Sequence, residues 1–248
     1  MGVSGAASTW EGQSPNRSHP SGKEAMRTLL ANPKSPYRLP GSAIDQLVAA
    51  SQITNWRGDQ RIIEPTTYGD FVHFVVAGSV RIEVDVDRRR AMIATIVPPG
   101  RFIGSLLPAP SSTCRFAAVT HAASLIAILS RGTVGGVVEN LPLDCTFRLA
   151  THSANQLRRL LADRCRLAWA STRTRLIHEL HELARDFGRP VPGGTLIDLA
   201  LTHAHLACLI VASRSNVTRA LGRLRRAGVL EVVSHRIMLC RSTGSTCG

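Results

Sequence analysis

The sequence predicts an α+β chain in three parts. An N-terminal double-stranded, jelly-roll-like β-roll comes first, then one long helix, then a short helix pair closed by a β-ribbon. Three observations predict it. Short apolar runs of strand type, broken by Gly and Pro, fill residues 53–129. Leucines at helical spacing follow Pro142. Residues 201–239 then read as two short capped helices and a Val/Ile-rich ribbon.

The boundaries follow from composition. Residues 1–36, rich in Ser, Gly, Pro and Asn, are expected to be a disordered tail. Residues 37–138 are expected to form the roll, 139–171 the long helix, and 172–248 the helix-turn-helix with its wing.

Within the roll, Ser42 is placed to cap a short helix running to Ala50. Phe71 to Val86 is rich in β-branched and aromatic residues, with a turn at Ala77-Gly78. Arg81, Glu83, Asp85 and Asp87 alternate with Val80, Ile82, Val84 and Val86, which predicts one wet and one dry face. Arg88 to Arg90 reads as a hairpin tip and Met92 to Val97 as the returning strand. Pro98-Pro99-Gly100 breaks that strand, and Phe102-Ile103-Gly104, Ala117 to Val119 and Leu125 to Leu129 follow.

In the long helix, Leu149, Leu157, Leu160, Leu161, Cys165 and Leu167 alternate with arginines. Such a stripe packs either on its own domain or on a second copy across a two-fold axis. A second helix, Ser171 to Phe187, stops at Gly188, and Arg189 to Gly194 reads as a linker-like turn.

Composition limits the function. Of 248 residues, 44% are hydrophobic and 19% charged, which excludes a wholly disordered chain. No apolar run approaches the ~20 residues of a membrane span, and no signal-type apolar segment opens the chain. A cytoplasmic protein with no membrane partner is expected. Lys plus Arg is 30 against 17 acidic residues, a formal net charge of +13. A chain of that sign is drawn to polyanions, nucleic acid first. Six cysteines, none in a CxxC pair, read as reduced thiols. No GxSxG, P-loop or paired-carboxylate motif appears, so no enzyme is expected.

The sharpest signal lies between Leu201 and Leu239. Thr202 and Ser213 can cap two successive helices. The second opens with Arg214, Ser215, Asn216, Thr218 and Arg219, with Arg223 one turn on. The first turns of a recognition helix reach base edges in the major groove, where Arg reads G and Asn reads A bidentately. The wing tip, Ser234-His235-Arg236, would lie against phosphate. Residues 172–248 carry eleven arginines against five acids, which favours DNA over a merely solvated helix pair.

This stretch, especially "SRSNVTRALGRL", resembles the winged helix-turn-helix of the Crp/Fnr superfamily of bacterial transcription regulators. "FVVAGSVRIEV" and "PGRFIG" are similar to that family's cyclic-nucleotide-binding-type β-roll. The resemblance covers about residues 40–240. It implies a homodimer on an inverted-repeat DNA site, with RNA polymerase as a further partner. It also implies that ligand or redox state in the roll repositions the DNA-binding heads.

By this resemblance Arg214 and Arg219 contact DNA. Ser215 stands where Glu is usual, which alters the base preference. Val211 stands where the turn usually carries Gly, awkward if that position needs positive φ.

The effector segment also departs from the family. Phe102, Ile103, Gly104, Ser105 and Leu106 are followed by Arg115 and Phe116, so Ser105 replaces the ribose-binding Glu. Leu160 and Leu161 replace the polar pair that reads adenine. Cyclic AMP thus loses several polar partners, at ~1–3 kcal/mol each. No fixed cofactor is expected, and the effector, if any, is another small molecule.

Weaker constellations are set aside. His178 and His181 sit at i, i+3 on one helix but do not make HExxH. His203 and His205 read as surface groups or phosphate contacts. A cupin-like metal pocket would need His73 and His121 pointing into the roll, and nothing in their spacing or that of Cys114 supports haem.

Overall fold

The computed structural model describes residues 20–64, 71–87, 90–104 and 116–241, without the side chains of Pro20, 85–91, 163 and 164. Two helices, α1 (Pro20–Ala31) and α2 (Gly41–Ala50), precede eight strands. These are β1 (Gln52–Trp56), β2 (Arg61–Ile63), β3 (Phe71–Ala77), β4 (Val80–Asp87), β5 (Arg90–Val97), β6 (Phe102–Ile103), β7 (Phe116–Thr120) and β8 (Ser124–Ser130). They form two antiparallel four-stranded sheets, ordered β1-β8-β3-β6 and β2-β7-β4-β5. This is the expected roll.

Its interior is closed by Ile62, Val75, Val80, Ile103, Ala118 and Ile126. Strand β3 is buried on both sides. Val72, Phe74 and Val76 face the helices, while Val75 faces the roll interior. A strand covered twice reads as an unbroken apolar run, as FVHFVV does. At the β3–β4 turn Gly78 has φ +81°, and an added Cβ would lie 2.4 Å from the Ala123 carbonyl oxygen. Only glycine fits there.

The expected tail needs correction. Met26 and Leu30 of α1 are fully buried against α2 and the outer face of the first sheet. Lys23 donates to the Ala49 carbonyl at 2.9 Å, and Arg27 pairs with Asp45. Apolar residues at Ala25, Met26, Leu29 and Leu30 make one face of α1 dry, and burial of that face orders the segment. Residues 1–19 lie outside the described residues. Helix α2 begins after Pro40, not Ser42, because proline's fixed φ of −66° holds the extended cap geometry.

After the roll come α3 (Arg131–Glu139), capped by Ser130, and α4 (Leu143–Trp169). At 27 residues α4 is roughly 40 Å long. Its base, Cys145 and Leu149, packs on the roll. Beyond it the apolar side chains are exposed: Leu160 is 57% exposed, Leu161 55% and Trp169 91%.

Helix α5 (Thr172–Phe187) opens the last domain, with Ser171 Oγ accepting from the Thr174 N–H at 3.2 Å. The expected linker after it is instead a hairpin, β9 (Gly188–Val191) and β10 (Gly194–Ile197). Positive φ at Gly193 makes its turn, and pairing with the wing satisfies its backbone. Helices α6 (His203–Leu209) and α7 (Arg214–Arg226) follow, then β11 (Leu230–Val233) and β12 (Arg236–Cys240). The wing therefore belongs to a four-stranded sheet, β11-β12-β10-β9.

One further expectation fails locally. On the expected wet face of β4, Arg81 and Glu83 are only half-exposed, and beside them Ile93 and Ile96 of β5 are buried in the core of the last domain. Arg81, paired in register with Ile96, keeps its charge by bonding Asp59 Oδ1 at 2.6 Å and Glu83. The head therefore docks on its own roll. Of the described residues, no helix is long and apolar enough to cross a membrane.

Candidate nucleic-acid interface

Helix α7 buries Val217, Ala220, Leu221 and Leu224 against α5 and α6. That stripe turns the other face outward. Arg214, Ser215, Thr218, Arg219 and Arg223 are all exposed there, Asn216 is half-buried, and the helix carries no acidic residue. Its last turn adds Arg225 and Arg226, which complement the helix dipole.

The caps form as the sequence predicts. Thr202 Oγ1 accepts from the His205 N–H at 3.1 Å, and Ser213 Oγ from the Asn216 N–H at 3.2 Å. Thr202 and Ser213 therefore fix the starts of α6 and α7. Ser215 Oγ lies 3.0 Å from Ser213 Oγ. The Arg219 guanidinium donates to Asn216 Oδ1. That bond occupies one oxygen and one N–H, leaving Asn216 Nδ2 and the other Arg219 N–H groups as donors. Thr218 donates to the Arg214 carbonyl at 2.9 Å and meets His203 Nδ1 at 2.9 Å.

Of the histidines at the entrance of α6, His203 is exposed, as expected of a surface group, and His205 is half-buried; both also bond within the fold. His203 ties α6 to α7 through Thr218. His205 completes a capping box, its Nδ1 accepting from the Thr202 N–H at 3.4 Å.

At the wing tip Ser234 and His235 have φ of 48° and 63°, two left-handed residues in a two-residue hairpin turn. His235 is exposed. Arg236 is 3.1 Å from Asp198, which neutralises part of the positive charge expected there.

The turn between α6 and α7 carries the positive φ that glycine would favour. Val211 has φ +50° and is 50% exposed.

The expected effector residues that the structure describes are spread over β6, β7 and α4. Ser105, Leu106 and Arg115 lie outside the described residues. Phe102 packs on Tyr37 and Phe74, at ring distances of 5.1 and 4.8 Å, on the helical side of the sheet. Ile103 closes the roll interior, and Gly104 follows with φ +109°. Phe116 begins β7 and pairs with Val84. Leu160 and Leu161 lie two turns beyond His152, the α4 residue that meets Tyr37.

His73 and His121 are also apart. His73 sits in β3 opposite Ile103 and Ile128, buried, with no partner for Nδ1. Burial alone pushes its pKa down to about 4. Sequence spacing held no signal for that. His121 instead faces the head, its Nε2 2.7 Å from the Ala200 carbonyl. Among the described residues, no cluster of three or more His, Cys, Asp or Glu is placed to hold a metal.

Residues 174–243 match the family model of the Crp-like helix-turn-helix domain. The global nitrogen regulator of Synechocystis sp. is 41% identical over 71 residues, 29% of this chain and 32% of that protein. The chain thus spans about a third of the length of that relative. A CRP-like cAMP-activated global transcriptional regulator of Mycobacterium tuberculosis is 23% identical over 204 residues, 81% of this chain and 89% of that one. Among solved structures, FixK2 from Bradyrhizobium japonicum superposes with TM-score 0.65 at 21% identity, covering 76% of this chain and 92% of that one. The c-di-GMP-responsive regulator CLP of Xanthomonas campestris gives 0.64 at 22%, covering 82% and 100%. Residues 174–243 are thus similar to a Crp-like helix-turn-helix domain, and the chain shares the fold of FixK2 and CLP.

Proposed function

We propose that the chain is a sequence-specific DNA-binding transcriptional regulator, acting as a homodimer on an inverted-repeat site. The observation that carries this reading is the outer face of α7, basic, free of carboxylates and held at both ends by caps. Phosphate contacts from arginines supply affinity, and Arg214, Asn216 and Arg219 supply base discrimination. The exposed leucine stripe of α4 supports pairing with a second copy.

In-vitro selection from random duplexes tests it, with purified chain at one stated salt concentration. The expected result is an inverted repeat with half-sites about one helical turn apart. Salt-sensitive binding with no enriched sequence would remove the specific-regulator reading.

A second reading makes DNA binding depend on a small effector. Two relatives are described as cAMP-activated and c-di-GMP-responsive. The partnerless His73 Nδ1 on the inner face of β3 favours a ligand with one hydrogen-bonding group there. Thermal unfolding with each nucleotide tests it, since a ligand at 100 times its Kd adds about 2.7 kcal/mol.

A further inference from the structure

Val211 is a β-branched residue in a left-handed position, where a side chain is costly unless its surroundings enforce it. Its side chain is half exposed, so packing does not hold it. The backbone does part of the work. The Ala212 N–H reaches back to the Ala207 carbonyl at 3.0 Å, the 6→1 bond of a Schellman helix end. That closure places Val211 at the position glycine usually takes, and it leaves the Ile210 and Val211 carbonyls without helical partners.

Both carbonyls are taken by one side chain. Arg175, on the first turn of α5, donates from Nη1 to the Ile210 carbonyl at 2.9 Å and to the Val211 carbonyl at 3.2 Å. The bonds are charge-assisted, so they are stronger than neutral ones. They join α5 to a turn 35 and 36 residues further along the chain. Arg214, the first residue of α7, lies three residues beyond Val211. The conformation of this turn therefore sets the direction in which α7 leaves.

We propose that Arg175 is the positioning residue of α7, its guanidinium locking the Val211 turn in the left-handed form that glycine would otherwise supply. It acts on DNA only through the placement of Arg214, Asn216 and Arg219. The consequence for DNA rests on the reading given under Proposed function. The consequence for the turn does not.

The test compares wild type with Arg175→Met, Val211→Gly and the double variant, all as full-length chains. Methionine keeps the apolar stem of the side chain. Two readouts are taken: amide hydrogen exchange over residues 210–216, and affinity for the duplex the wild type selects. Arg175→Met is expected to raise exchange in the turn and weaken DNA binding about tenfold each. Val211→Gly is expected to restore most of both losses in the double variant. Arg175→Lys, which keeps a charged donor, is expected to fall between wild type and Arg175→Met. Equal losses from Arg175→Met in the Val211 and Val211→Gly backgrounds would overturn the proposal, because Arg175 would then act independently of the turn. If Arg175→Met does not fold, the Lys variant decides through the same comparison. If the wild type selects no duplex, the DNA reading fails while the exchange arm still decides the clamp.

Discussion

The ring of His121, beside β7 on the roll, meets the ring of His205 on α6 edge to face, with centroids 4.8 Å apart. His121 Nε2 donates to the Ala200 carbonyl, so its buried, partnerless Nδ1 carries no proton in the neutral ring. Both pKa values lie below the ordinary histidine value. Burial is the main cause at His121, with the Arg81 charge adding; the Ala200 bond and Asp59 oppose it. Burial also leads at His205, followed by His121 and Arg81, with Asp59 and Glu83 opposing. Docking of the head on the roll thus favours neutral rings.

A pH dependence of the docked state follows. A base whose pKa is lowered contributes stability above its free value, about 6.5, and loses it as pH falls below that. Protection of the α6 amides, taken relative to an intrinsic exchange rate that itself slows as pH falls, is expected to decline below about pH 6.5. His121→Gln keeps a donor for Ala200 but does not titrate, so it should flatten the profile. An unchanged profile would mean that the pair does not couple the domains.

His73 makes a second acid-sensitive point. With its folded pKa at about 4 against an ordinary 6.5, the neutral ring contributes stability above pH 6.5 that is lost on the way down to 4. The loss is about 3 kcal/mol at most. Urea unfolding midpoints of His73→Leu are expected to fall less steeply over that range than those of wild type. Parallel curves would place the acid sensitivity elsewhere.

The stripe on α4 predicts the oligomer. Leu160→Glu with Leu161→Glu puts charge where each leucine is expected to bury ~1.5–3 kcal/mol of apolar surface. Sedimentation is expected to show dimerisation weakened by at least tenfold, with unfolding of the roll unchanged. A dimer of wild-type strength would move the interface off this stripe.

Helix α1 belongs to the fold, so its removal should be felt. Met26→Ala empties a fully buried site and should cost about 2–5 kcal/mol in chemical unfolding. A change below about 0.5 kcal/mol would make the segment dispensable.

The contrast between α1 and α7 shows what the sequence made legible. Helix α7 carries its apolar spacing and its basic face within thirteen residues, with its cap directly before them, so all three are legible locally. The strands of the roll announced themselves by β-branched alternation and by turn residues such as Gly78. Helix α1 also has its apolar pairs, Ala25-Met26 and Leu29-Leu30. They sit beside a Ser- and Pro-rich stretch whose average polarity hid them. The hairpin β9–β10 was missed because Pro190 and Pro192 argue against strands, and only pairing with β12 overrides that. Docking of Ile93 and Ile96 under the head is a contact between domains, which no local period encodes. The Arg175 bonds to the Val211 turn span 35 and 36 residues, so the sequence showed the awkward valine and not its remedy.

Whether α7 reads bases is decided by parallel in-vitro selection with wild type and Arg219→Ala. Both proteins are expected to select one inverted repeat, with the same half-site spacing. In the variant, preference should relax at one position per half-site, and affinity for the wild-type site should fall by ~1–3 kcal/mol. Identical sequence preference in the two selections, or an equal loss on random DNA, would contradict it.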